Sequence, residues 1–129
     1  MGTRNFSYDH PAYITPAAAG MSIAAGSGAS ARFCAHADLI ARAMVLKPAI
    51  AGTSSDVVTA YAVTGTTTKT LGVATFASAA TAYQRIEFTA GSRTCTQGDE
   101  IRITKGTDAT AAYAGSFEYT LTPGANVTD

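Results

Sequence analysis

The chain contains only two histidines, His10 and His36, so a hydrolytic triad would have to recruit one of them. Asp38 follows His36 by two residues, and on an extended backbone positions i and i+2 share a face, which would let the carboxylate orient the imidazole for base catalysis. No serine stands in a Gly-x-Ser-x-Gly elbow to complete the set. Cys34 precedes His36 at the same spacing, but no cationic cluster or helix terminus accompanies it to activate a thiolate, and a packed thiol is the expected role. Asp99, Glu100, Glu87 and Glu118 are the carboxylates from which a glycosidase pair could be drawn. Each falls instead at a turn or on the polar side of an alternating segment. The oxygen-rich stretches Thr53-Ser54-Ser55-Asp56 and Thr107-Asp108 could hold a calcium ion, yet they lack the repeated acidic spacing of a strong site. Gly26-Ser27-Gly28-Ala29-Ser30 has no lysine at P-loop spacing to cradle a phosphate. No catalytic, cofactor-binding or metal-ligating residue is assigned, and an enzyme is not expected.

The elements that would position these residues are strands. In Glu100-Ile101-Arg102-Ile103-Thr104-Lys105 the isoleucines fall on one parity and Arg102 and Thr104 on the other, and Ser116-Phe117-Glu118-Tyr119-Thr120-Leu121 repeats the pattern. A period of two belongs to a half-buried strand. Val57 to Val63 and Thr70 to Phe76, joined by Gly65 to Lys69, read as a hairpin. Further strands are expected at Met21 to Ala25, Ala31 to Ala35, Arg85 to Phe88 and Thr94 to Thr96. Asp38 to Lys47 is ambiguous: Leu39, Ile40, Ala43, Met44 and Lys47 fit helical spacing behind an Asp38 cap, while apolar residues on both parities suit a strand covered on two faces. A strand is favoured, with Pro48 expected to end it. Eight or so strands with turns about every ten residues predict an all-β fold, an antiparallel β-sandwich of jelly-roll type. The sandwich is expected over 20–123, with an extended N-terminal arm over 1–19 and a tail over 124–129.

At 129 residues the chain suits one domain with a real core. Nine Lys and Arg balance nine Asp and Glu, so there is no broad field to attract nucleic acid or anionic lipid. No run approaches the ~20 apolar residues of a membrane span, and no secretory leader pattern opens the chain. Charged residues make up only 14%, while Ala supplies 27 positions and Thr 20, giving outward strand positions small side chains that suit close packing on a neighbour. Cys34 and Cys95 could form one disulfide but lack metal-type spacing. The arm carries Phe6, Tyr8, Tyr13 and Ile14 among Pro11, Pro16 and an alanine run, too many aromatics for an indifferent linker. These four are the candidate contact residues, laid on the chain's own domain, a sister subunit or another partner.

The order Ala31-Arg32-Phe33-Cys34-Ala35-His36-Ala37-Asp38, then Pro48-Ala49-Ile50-Ala51-Gly52-Thr53, the hairpin, Gln97-Gly98-Asp99-Glu100-Ile101-Arg102-Ile103 and Ala114-Gly115-Ser116-Phe117-Glu118-Tyr119-Thr120-Leu121 resembles the small head decoration, or cement, proteins of tailed bacteriophages. The resemblance covers about residues 20 to 122 and lies in strand order and turn chemistry rather than in a diagnostic motif. It implies a structural virion protein, made in the host cytoplasm, that binds the capsid exterior across junctions between major capsid protein subunits and stiffens the shell. By the same analogy a homo-oligomer is expected, a trimer at threefold positions, with no cofactor. Two alternatives stay open: a carbohydrate-binding module or adhesin domain of a fibre, because the same sandwich can display sugar-reading loops, and a tail or neck protein. The absence of Trp and the scattering of six tyrosines disfavour a sugar-stacking platform.

Overall fold

The computed structural model describes residues 17–121, and Phe6, Tyr8, Tyr13, Ile14 and the 124–129 tail lie outside them. Among the described residues nine strands follow in order: β1 Ala17–Ile23, β2 Ser30–Cys34, β3 Leu39–Ile50, β4 Asp56–Thr64, β5 Thr67–Phe76, β6 Gln84–Glu87, β7 Thr94–Cys95, β8 Glu100–Thr104 and β9 Ala112–Leu121. The first strand begins within the stretch read from sequence as arm, with Ala17 paired to Tyr119 and Ala19 to Phe117. Among the described residues no helix is long and apolar enough to cross a membrane.

The strands form two antiparallel sheets, ordered β1-β9-β3-β6 and β2-β8-β4-β5, with the short β7 beside β6 on the same edge of β3. The pairings are nested: β1 with β9, β2 with β8, β3 with β6, and β4 with β5. A long antiparallel ribbon rolled on itself gives this order, which is that of a jelly roll. Its tip is the β4–β5 hairpin, where Thr64 pairs with Thr67 across a two-residue turn. Gly65 at φ 58° supplies the left-handed backbone that such a turn requires.

The ambiguous segment is a strand, and a bulge explains its mixed pattern. Ala41 pairs with Tyr119 and Ala43 with Glu118, leaving Arg42 as the extra residue. The insertion flips the parity: Leu39 and Ala41 face the core before it, Met44 and Leu46 after it. Apolar residues three and four apart therefore mimic a helix. Arg42 turns outward and its Nε donates to Thr120 Oγ1 at 2.9 Å, which satisfies the hydroxyl of a buried threonine. Pro48 does not end the strand as expected. It pairs with Tyr113 of β9, while the β6 pairing on the other side spans only Ala43 to Leu46, so no ladder partner there needs the N–H that proline lacks.

The core lies between the sheets and is built on Phe117, Met44, Leu46, Ile101, Ile103, Val58, Leu71 and Phe76, all at most 2% exposed. Burial of each large side chain is worth about 1.5–3 kcal/mol. Gly115 is where the first sheet is tightest: a Cβ there would meet the Val45 carbonyl oxygen at 1.7 Å, so β9 approaches β3 more closely than any side chain allows.

Candidate interaction surface

The sandwich has two ends of opposite character. At one, β1, β3 and β5 finish and β2, β4 and β9 begin. Lys105, directly after β8, continues the inward parity of Ile101 and Ile103, and its side chain is 0% exposed. Its Nζ stands 3.5 Å from Asp56 Oδ2, itself 1% exposed, and donates to the backbone carbonyl of Asp108. Tyr113 Oη donates to the same Asp56 oxygen at 2.9 Å, and the Asp108 N–H approaches Asp56 Oδ1 at 3.4 Å. Desolvation first, then the Asp56 contact, pushes the Tyr113 phenol well above its ordinary range, so it remains a donor.

The two oxygen-rich stretches singled out in the sequence do meet here, around Asp108. Its Oδ2 accepts from Ser54 N at 2.6 Å and Ser54 Oγ at 2.9 Å; its Oδ1 accepts from Thr110 N at 2.8 Å and Ala111 N at 2.9 Å. The backbone N–H groups of Ala111 and Ser54 hold this carboxylate well below its ordinary pKa. Its lone pairs thus serve as caps for two loops. Space is closed as well, since a Cβ on Gly106 would lie 2.6 Å from Asp56 Oδ1 and one on Gly52 2.9 Å from Asp108 Oδ2. The only signal of Lys105's position in the sequence was its parity.

Among the described residues the opposite end is open. Phe33, Phe117 and Tyr119 pack edge and face, with ring centroids 5.3 and 6.0 Å apart from Phe117. Together with Ala19, His36 and Leu39 they line a recess of about 50 Å³. Continuous with it through Ala19 and Phe33, a groove of about 400 Å³ runs between β1 and β2, lined by Gly20, Met21, Ala31 and Arg32. Among the described residues both strands are sheet edges on this side, and an edge of this kind offers backbone groups to which a strand can be added. Ala17, where residues 1–16 join, pairs with Tyr119, one of the residues lining the recess. On the other side of β3, the buried Nε of Arg93 has no hydrogen-bond partner among the described residues.

The other sequence candidates are dispersed and occupied. His36 is exposed and its ring meets Tyr119 edge-on at 5.9 Å, while Asp38 Oδ1 accepts from Gln97 N at 2.8 Å and caps a turn. Cys34 is exposed, Cys95 is buried, and both are free thiols; burial pushes the Cys95 thiol up. Glu87 and Glu118 both pair with Arg85, at 2.8 and 2.9 Å, and Glu100 pairs with Arg102 at 2.7 Å. Asp99 is buried, accepting from Thr64 Oγ1 at 2.7 Å and Thr96 N at 2.9 Å. Among the described residues no three His, Cys, Asp or Glu side chains gather where they could share a metal ion.

No protein-family model and no curated protein matches this chain. Among solved structures, a chain in a structure of the infectious bursal disease virus Gx strain is similar over 85% of this chain, at 16% identity and a TM-score of 0.41. A chain in a structure of the Gt strain is similar over 88%, at 13% identity and a TM-score of 0.35. The present chain spans about a third of the length of each, 33% and 32%.

Proposed function

We propose that the protein is a structural virion component of the decoration type, attached to the outer surface of a phage capsid and stabilising it. The observation that carries this reading is one end of the sandwich, where the described residues leave an aromatic recess and a groove between two edge strands, next to Ala17, to which residues 1–16 are joined. Phe6, Tyr8, Tyr13 and Ile14 are the proposed anchors, contacting the major capsid protein or a sister subunit. Small side chains along β1 let another backbone approach closely, and edge-strand addition supplies hydrogen bonds without any sequence-specific chemistry. Ordering such an arm costs roughly 1 kcal/mol or more per residue, which many copies on a symmetric shell offset through multivalency. Jelly rolls also serve in capsids and lectins, so the fold is compatible with the reading without dictating it.

Quantitative mass spectrometry of purified virions from the source of the sequence tests this directly. Near-stoichiometric abundance relative to the coat protein is the expected result. A few copies per particle would move the assignment to a fibre adhesin or a tail or neck part, and absence from virions would end it. On the same reading, a chain lacking residues 1–16 folds, because β1 begins at Ala17, but no longer binds shells.

A further inference from the structure

Lys105, Asp56 and Tyr113 meet in a buried cluster at one end of the sandwich. Lys105 and Asp56 lie on neighbouring strands with side chains 0% and 1% exposed, and removing two charges from water costs more than their attraction returns unless the geometry is fully satisfied. Here the pair is held as two reactants would be. The Lys105 Nζ is tethered by the Asp108 carbonyl and faces Asp56 Oδ2 at 3.5 Å. That oxygen also takes the Tyr113 hydroxyl hydrogen bond at 2.9 Å, which is where negative charge would develop if a nucleophile added to the carboxyl carbon.

We infer that Lys105 and Asp56 condense to an intramolecular amide, a covalent tie between the end of β8 and the start of β4. The ammonium passes one proton to the carboxyl group, leaving a neutral amine and a carboxylic acid. The Nζ lone pair then forms a bond to Asp56 Cγ, with the Tyr113 hydroxyl holding Oδ2. The Cγ–Oδ1 bond breaks, and Oδ1 departs with two protons as water, one from the first transfer and one from nitrogen. No oxidant, reductant or activated donor is needed. In bulk water the separated ions are favoured over the amide because both are hydrated; burial strips that hydration, and the products are neutral. Fixing amine and carboxyl in contact supplies a large effective concentration. The inference is independent of what the surface binds.

Intact-mass measurement of the full-length chain, folded at neutral pH and then denatured, tests it. The expected mass is lower than that of the sequence by one water, with a branched tryptic species joining the peptide that carries Asp56 to the one that carries Lys105. The same chain kept unfolded in denaturant throughout, and the Lys105→Arg variant, should retain the full mass. Tyr113→Phe should slow water loss by about 100-fold, the scale of losing one oxyanion donor. Full mass in the folded wild type after prolonged incubation overturns the inference, as does water loss that persists in Lys105→Arg.

Discussion

The two ends of this jelly roll solve the same geometric problem in different ways. Strands stop, loops cross, and the space between the sheets must be closed. At the Asp56 end closure is electrostatic and complete: a buried lysine, two carboxylates and a phenol are linked to one another and to loop N–H groups. At the Phe33 end closure is aromatic and, among the described residues, incomplete, leaving a recess and a groove near Ala17. The difference separates stability from contact. A charge network sealed from water locks loops in place, whereas apolar side chains half-covered at an edge have surface left to give to a partner.

The largest effect should come from breaking the sealed end. Lys105→Met leaves Asp56 a buried carboxylate with neither ion pair nor amide to neutralise it and should destabilise the fold by about 3–5 kcal/mol, read by urea denaturation. Adding Asp56→Leu should restore much of the loss, because the orphaned charge is then gone; a double variant no better than the single would show that packing, not charge, was at stake.

Next comes acid sensitivity. Asp108 has its pKa lowered in the folded state from an ordinary 3.8, so the unfolded chain takes up the proton first as pH falls. Its stabilising contribution is present above that ordinary value and drains away as pH drops through the folded-state pKa. Denaturation midpoints followed downward from pH 5 should show this decline, and Asp108→Asn should flatten it.

The open end should respond more mildly in stability. Phe33 is half-buried, and Phe33→Ala should cost about 1–2 kcal/mol, less than the 3–5 of a fully buried phenylalanine. A cost equal to that of Phe117→Ala would mean that this end is sealed after all. Smallest of all is Gly20→Arg. A Cβ there meets nothing within 4 Å, so thermal melting should shift by no more than the ~0.5 kcal/mol typical of surface changes. Binding to shells should nonetheless be lost if the groove is the contact surface, and retained binding would move that surface elsewhere.

The alternation of Ile101 and Ile103 with Arg102 and Thr104, that of Phe117 and Tyr119 with Glu118 and Thr120, and the Gly65 turn were legible in the sequence because each depends on neighbours along the chain. They determined strands, a hairpin and an all-β sandwich. Only the tertiary structure decided the rest. The mixed pattern of Asp38 to Lys47 comes from a bulge at Arg42, which exists because β9 lies alongside with one residue fewer. Pro48 stays in its strand because one side of β3 has run out of partners there. Lys105 shares the inward parity of Ile101 and Ile103, but its partner there is fixed only when Asp56, 49 positions earlier, is folded against it. The loops around Thr53 and Asp108 suggested a cation site, and the fold brought them together around a carboxylate already saturated with donors, with a lysine ammonium beside it. Such placements are set by contacts between residues distant in sequence, and local pattern carries no record of which distant residue will arrive.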